Sequence, residues 1–167
     1  MDGGVNAAFD DWVEARAAAL LRFAYLVTGS QHEAEEAVQA ALTRALEKWS
    51  RVRRTTDPDQ YVRRMIVNEH ISGWRRGRRR ELPVAQVQEA TYADPADAVA
   101  GSDVVWRVCS GLPRQQRAAV VLRYSEDLEY AEIAALLEVS EVSARTYVHR
   151  ALAAMRVELE RQEQVDG

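Results

Sequence analysis

Residues 130–156, YAEIAALLEVSEVSARTYVHRALAAMR, decide the class of fold. Apolar residues recur at helical spacing on both sides of Glu138 and Val139, and Ser140 is a favoured N-cap residue for a second helix. Two helices joined by a tight turn make a helix-turn-helix, a motif that places its second helix in the major groove of DNA. We therefore predict an all-α protein whose C-terminal part is a helix-turn-helix.

The second helix of this motif has two different sides. At 100° per residue its apolar side gathers Ala144, Val148, Ala151, Leu152 and Met155. The other side presents hydroxyl, methyl, imidazole and guanidinium groups, which can meet base edges and phosphates in a major groove. The predicted DNA-reading residues are Val142, Ser143, Arg145, Thr146, His149 and Arg150.

Three longer helices are predicted upstream. The first ends at Gly29, a natural C-terminal stop, and the second begins with a capping box formed by Ser30 and Glu33. The third is capped by Asp57 and has Pro58 at its first position. The predicted apolar face of the second helix consists of Ala34, Val38, Leu42, Ala45, Leu46 and Trp49.

The third helix carries a basic patch on an acidic chain. The formal net charge is −4, yet residues 51–80 hold ten basic and three acidic side chains, and the stretch ISGWRRGRRR occupies residues 71–80. Such a patch suits a polyanion, although a solvated helix end is the alternative. Trp74 beside it suits either base stacking or core packing. The predicted nucleic-acid-binding residues are Arg64, Asn68, Ser72, Trp74, Arg75, Arg76, Arg78 and Arg79.

Residues 81–101 interrupt the helical pattern and are predicted to be a flexible linker. They contain prolines, four acidic residues and no basic residue. The predicted organisation is therefore a domain at residues 1–80, the linker, and a second domain at residues 102–167. Fully extended, the linker reaches about 70 Å, which is about two turns of duplex DNA.

Other classes of protein fit the sequence poorly. The single cysteine, Cys109, cannot form an internal disulfide, and the chain shows neither an export signal nor an apolar run long enough to span a membrane, so we expect a cytoplasmic protein. HEAEE at residues 32–36 lacks the second histidine of a zinc-protease helix. Phosphate-binding loops and nucleophile motifs are also missing, so we expect no metal, no cofactor and no enzymatic activity.

Three stretches together carry a resemblance to a known family. They are AYLVTGSQHEAEEAVQAALTRALEKW at residues 24–49, DPDQYVRRMIVNEHISGWRRGRRRE at residues 57–81, and GLPRQQRAAVVLRYSEDLEYAEIAALLEVSEVSARTYVHRALAAMR at residues 111–156. They resemble the two domains of bacterial RNA polymerase sigma factors of the extracytoplasmic-function type. The resemblance implies a promoter-specificity subunit whose first domain captures the minus-ten element and whose second domain reads the minus-thirty-five element.

The resemblance also implies roles for individual residues. Residues of the second helix would dock on core RNA polymerase, namely Glu35, Glu36, Gln39 and Arg44. The arginine-flanked segment around Asn68 corresponds to the minus-ten helix, and residues 50–57 correspond to the base-capturing loop. The implied partners are core RNA polymerase, promoter DNA and an anti-sigma factor. A glycine is usual in the family where Glu138 stands, and a left-handed Glu there would cost about 1 kcal/mol.

Two alternative functions are compatible with the patterns alone. The first is a helix-turn-helix repressor or activator that binds duplex DNA as a symmetric dimer at paired half-sites. The second is a helical interaction protein that does not depend on nucleic acid. The basic face of the third helix argues against the second alternative.

Overall fold

The computed structural model describes residues 2–80 and 107–167; the side chains of Asp2, Arg75 and residues 77–80 lie outside that description. All regular elements in the described residues are helices and none of these residues forms a strand, which confirms the all-α prediction. The described residues form two compact units, residues 2–25 with 30–80 and residues 26–29 with 107–167. The predicted linker, residues 81–101, lies outside the described residues.

The first unit contains four helices, α1 (Asp2–Thr28), α2 (Gln31–Glu47), α3 (Trp49–Val52) and α4 (Pro58–Arg80). The predicted signals set their ends. Gly29 has a φ of 68°, a left-handed conformation that terminates α1. The Ser30 side chain accepts a hydrogen bond from the Glu33 N–H at 3.4 Å, and Asp57 Oδ1 accepts one from the Gln60 N–H at 3.1 Å.

The end of α2 differs from the prediction. Lys48 has a φ of −113° and a ψ of 19°, so α2 stops at Glu47 and the chain enters α3 in a new direction. Trp49 therefore belongs to α3, where its ring centroid lies 5.2 Å from that of Phe9. The prediction that Leu46 faces the core is wrong, because its side chain is 40% exposed.

Helices α2 and α4 form the centre of the first unit. The buried side of α2 is made of small side chains, Ala34, Ala37, Val38, Ala41 and Ala45. The facing side of α4 contributes Val62, Ile66 and Val67, all without solvent exposure. Small side chains let two helices pack closely, so the position of α4 is set by α2.

The second unit begins with helical residues 107–110 and continues with α5 (Arg114–Tyr124), α6 (Tyr130–Leu137) and α7 (Glu141–Asp166). Residues 111–113 are not helical and separate residues 107–110 from α5. The guanidinium of buried Arg117 donates to the carbonyl oxygens of Cys109, Ser110 and Leu112 at 2.9, 3.1 and 2.9 Å. These bonds satisfy carbonyl groups that a helix end leaves unpaired.

Helices α6 and α7 form the predicted helix-turn-helix. Glu138 ends α6 in the left-handed conformation, with φ 53° and ψ 48°, and the Val139 N–H donates to the Ala134 carbonyl at 3.0 Å. Ser140 caps α7 by accepting a hydrogen bond from the Ser143 N–H at 3.1 Å. The family's usual glycine thus corresponds to a left-handed position, here occupied by a glutamate.

Candidate nucleic-acid interface

The exposed face of α7 contains the predicted DNA-reading residues. Ala144, Val148 and Ala151 are fully buried beneath it, while Leu152 and Met155 are half-buried. Val142 is 72% exposed. The predicted residues divide into four exposed ones, Val142, Arg145, His149 and Arg150, and two half-buried ones, Ser143 and Thr146. The structure therefore brings all six together on one accessible surface.

The hydroxyl groups of this face are oriented by α7 itself. Thr146 Oγ1 donates to the Val142 carbonyl at 2.9 Å, so its hydrogen is used and its oxygen can act only as an acceptor. Ser140 Oγ donates to Ser143 Oγ at 2.9 Å. In this arrangement Thr146 can accept a hydrogen bond from a base amino group or contact a thymine methyl group.

Arg145 is held by groups outside the face. Its Nη2 lies 3.6 Å from Glu141 Oε1, and its guanidinium carbon lies 5.0 Å from the centre of the Tyr130 ring. The guanidinium carbon of Arg123 lies at the same distance from that ring. The sequence alone does not indicate Tyr130 or Arg123 as part of this surface, because a contact between separate helices has no fixed spacing in the sequence.

The outer face of α4 presents part of the predicted basic surface. Arg64 and Asn68 are exposed, Ser72 is half-buried, and Arg76 is exposed. The predicted residues Arg75, Arg78 and Arg79 have side chains outside the described part of the chain. Arg64 and Asn68 are four residues apart, so they lie one above the other on the side of α4 that faces away from α2.

Trp74 does not lie on that exposed surface, so its predicted contact with DNA needs correction. Its side chain is only 9% exposed, and its ring stacks on His70 at a centroid distance of 6.3 Å and an angle of 28°. A base cannot stack on a ring that the protein already covers. Of the two interpretations of Trp74, the structure supports core packing.

The predicted docking residues of α2 are accessible. Glu35, Glu36 and Gln39 are exposed, opposite the buried alanines. Glu35 accepts a hydrogen bond from Gln31 at 3.2 Å, and His32 Nε2 lies 3.1 Å from Glu36 Oε1. Contacts as exposed as these are weak, so both carboxylates remain available to a partner.

Arg44 differs from the other predicted docking residues, because its Nε lies 2.9 Å from Glu69 Oε1 on α4. Glu69 is 10% exposed whereas Arg44 is 60% exposed. The ion pair therefore ties α2 to α4 at the edge of their interface. Glu69 directly follows Asn68 in the sequence.

The segment that precedes α4 is also basic on its outside. Arg51, Arg53 and Arg54 are exposed, whereas Val52 between them is fully buried. Thr55 Oγ1 donates to the Val52 carbonyl at 2.7 Å. The segment predicted to capture a base is thus anchored by Val52 and presents its arginines outward.

In the parts of the chain that the structure describes, no three histidine, cysteine or carboxylate side chains are grouped so that they could hold a metal ion. The helices of residues 2–80 and 107–167 include none that is both long and apolar enough to cross a membrane.

Comparison with known proteins assigns the family. Residues 12–80 match the family model for Sigma-70 region 2, and residues 102–155 match that for Sigma-70, region 4. The RNA polymerase sigma-E factor of Streptomyces avermitilis is 32% identical over 152 residues, which cover 91% of this chain and 85% of the relative. The sigma-E factor of Streptomyces coelicolor is 32% identical over 151 residues, covering 90% and 85%.

These matches define a sigma factor of the sigma-70 class. The chain belongs to the extracytoplasmic-function group of the sigma-70 family, as the resemblance in the sequence implied. It is an alternative sigma factor, a subunit that directs promoter-specific initiation of transcription. This assignment decides against the repressor and the interaction protein.

Solved structures show the same fold. The sigma factor RpoE of Bartonella quintana, solved in complex with the anti-sigma factor NepR, has a TM-score of 0.57 at 21% identity, over 92% of this chain and 97% of that chain. The extracytoplasmic-function sigma factor SigJ of Mycobacterium tuberculosis has a TM-score of 0.50 at 24% identity, over 86% of this chain and 52% of that chain. At these identities the likeness concerns the fold.

Proposed function

We propose that the two domains of this chain have the same separate roles as the two domains of other family members. Residues 1–80 dock on core RNA polymerase and capture the minus-ten element, residues 102–167 read the minus-thirty-five element, and residues 81–101 connect them. The observation that carries the proposal is the exposed polar face of α7, which lies over fully buried Ala144, Val148 and Ala151. An exposed reading face over a packed underside is what a recognition helix needs.

The chemistry of α7 suits the major groove. Arg145 and Arg150 carry paired N–H donors that match the O6 and N7 acceptors of guanine. Val142 offers an exposed apolar surface, which suits the methyl group of thymine. His149 supplies a further donor or acceptor from the next turn. These residues would let α7 distinguish base pairs as well as contact phosphates.

The outer face of α4 suits DNA whose strands have separated. Arg64 provides charge for phosphates, and the Asn68 amide provides both a donor and an acceptor for an unpaired base. Because opening several base-pair steps costs more than one small basic helix returns, we propose that α4 acts only together with polymerase. Trp74 stabilises α4 by packing on His70, which lies four residues earlier on the same helix.

The acidic face of α2 is the proposed contact with core RNA polymerase. Glu35, Glu36 and Gln39 project from the side opposite the α4 interface, so a partner can bind there without displacing the core. A partner surface rich in arginine or lysine would complement them. Arg44 contributes from the edge of the same helix while it pairs with Glu69.

The remaining proposals concern cellular context. The protein acts in the cytoplasm, where RNA polymerase and the chromosome are, and it performs no catalysis of its own. RpoE of Bartonella quintana binds an anti-sigma factor. We propose that a protein of that class also regulates this chain.

Transcription in vitro with core RNA polymerase on a genomic template tests the proposed function. We expect specific start sites that appear only when the protein is added, and permanganate-reactive thymines near each start. Asn68→Ala should reduce that reactivity, whereas Asn6→Ala, which changes an exposed asparagine on α1, should not.

Binding of the isolated protein to duplex DNA, measured without polymerase, tests the alternative of a dimeric repressor. The isolated protein should bind duplex DNA weakly, with the logarithm of affinity falling by about 0.9 per phosphate contact for each tenfold rise in salt. Tight binding of a symmetric duplex site by a dimer, together with no transcription on addition of core polymerase, would contradict the proposal.

A further inference from the structure

Tyr130 is the point at which α5, α6 and α7 meet. It is the first residue of α6, and its ring is half-buried. The guanidinium carbons of Arg123 on α5 and Arg145 on α7 each lie 5.0 Å from the centre of the ring. A guanidinium placed over an aromatic ring is attracted by the negative charge of the ring face. One ring therefore contacts both a residue of the exposed α7 face and a residue outside it.

The two arginines differ in what else holds them. Arg123 Nη1 donates to the Leu128 carbonyl at 2.9 Å and lies 3.9 Å from Glu129 Oε1, so Arg123 is fastened to the segment between α5 and α6. Arg145 pairs with Glu141 one turn earlier on its own helix at 3.6 Å, and both side chains are about half exposed. An ion pair so exposed orients a side chain only weakly.

The contact with Tyr130 therefore adds to a weak ion pair in orienting Arg145. A long exposed arginine loses much rotational freedom when it is fixed on a base, and a flat contact made beforehand reduces that loss. Thr146 and Ser143 are oriented by hydrogen bonds within α7 and its cap, whereas Arg145 is also held by a residue of a different helix. Base reading by Arg145 would thus respond to changes in α6 that leave α7 intact.

We propose that Tyr130 is a positioning residue for promoter reading: its ring holds the Arg145 guanidinium in place to contact a base pair of the minus-thirty-five element, called the upstream element below. The proposal rests on the proposed function, in which α7 reads that element. It requires the face of an aromatic ring and not the tyrosine hydroxyl. Tyr130→Phe should therefore behave as the wild type, and Tyr130→Leu should not.

The experiment uses the full chain with core RNA polymerase on promoter templates randomised through the upstream element, and it counts transcripts from each template. Arg145→Ala first identifies the base pairs whose preference depends on Arg145. At those base pairs Tyr130→Leu should lower discrimination roughly two- to fivefold, the effect of losing one exposed cation–π contact. Preferences at the other base pairs should stay unchanged.

The double variant separates positioning from a general structural role. In the Arg145→Ala background, Tyr130→Leu should cause no further loss of discrimination, because Tyr130 acts through Arg145. Arg145→Lys, which keeps the charge without the planar group, should lose discrimination at the same base pairs. If Tyr130→Leu does not fold, Tyr130→Phe still tests the proposal, because its ring keeps the contact and discrimination should remain that of the wild type. Tyr124→Leu makes the same chemical change at an exposed tyrosine of α5 and should leave discrimination unchanged.

Several outcomes would overturn the proposal. Unchanged discrimination in Tyr130→Leu would do so, as would equal losses at every base pair or a Tyr130→Phe variant as impaired as Tyr130→Leu. Failure of the proposed function looks different, because then the wild-type protein itself would show no preference within the upstream element. That result would overturn the reading by α7 and the role of Tyr130 together.

Discussion

Replacement of Glu138 by glycine should stabilise the helix-turn-helix. Glu138 has φ 53° and ψ 48°, a conformation in which the Cβ atom of an ordinary residue crowds the following carbonyl oxygen. The crowding costs about 1–2 kcal/mol. Glycine removes this crowding, but it also gives the unfolded chain more conformational freedom. That freedom lowers the gain in the free energy of unfolding by about 0.4–1 kcal/mol. We therefore expect the free energy of unfolding to rise by about 1 kcal/mol, the difference between these two ranges.

The control for this prediction is Glu138→Ala. Alanine removes the same side-chain contacts as glycine but keeps the crowded Cβ, so the difference between the two variants reports the backbone conformation alone. Asp127, which has a φ of 54° between α5 and α6, gives a second comparison. Aspartate tolerates the left-handed conformation better than glutamate does, so Asp127→Gly should stabilise the protein less than Glu138→Gly.

The assay is thermal unfolding of the full chain followed by far-ultraviolet circular dichroism, with amide hydrogen exchange to assign the change to α6 and α7. For a unit of this size a gain of about 1 kcal/mol raises the midpoint by about 4–8 °C. An equal midpoint for the glycine and alanine variants would refute the reasoning. So would a rise in protection confined to α2 and α4, because Glu138 does not belong to that unit.

Three further predictions concern single side chains. Glu36→Arg should weaken binding to core RNA polymerase in a competition assay without changing the unfolding midpoint, and Glu160→Arg, an exposed control on α7, should leave binding unchanged. Trp74→Ala should lower the free energy of unfolding by about 3–5 kcal/mol, since it empties a buried aromatic site, and a stable variant with a selective melting defect would contradict this. Burial raises the pKa of the Cys109 thiol, an effect that the Arg117 guanidinium opposes, so at pH 8 iodoacetamide should react slowly with folded protein and quickly after denaturation. The same raised pKa implies that stability declines as the pH rises from the ordinary pKa of a thiol through that of Cys109.

Local signals in the sequence predicted the helix ends well. Gly29, Ser30, Asp57 and Ser140 each act through their own backbone or a residue three positions away, so their effect can be recognised from spacing alone. The two sides of α7 could also be predicted from the sequence, because helical periodicity separates Ala144 and Val148 from the exposed residues. These features depend on short-range geometry.

Features that depend on packing between helices were not predictable. Periodicity continued the apolar face of α2 through Leu46 to Trp49, but the change of direction at Lys48 places Trp49 against Phe9 and leaves Leu46 exposed. The burial of Trp74 likewise depends on how the core closes around α4, and a tryptophan beside arginines fits both interpretations until that is known.

The alanine-rich side of α2 has a consequence for protein engineering. Because α2 packs on α4 and its buried side includes Ala34, Ala37, Ala41 and Ala45, enlarging any of these side chains would overpack the core, at about 1–3 kcal/mol for each substitution. A designer who wants a variant with altered affinity for polymerase, for instance an orthogonal sigma factor for a synthetic circuit, should leave this side unchanged. The positions open to randomisation are those on the opposite side of the same helix, where a library can vary charge and shape while α4 keeps its place.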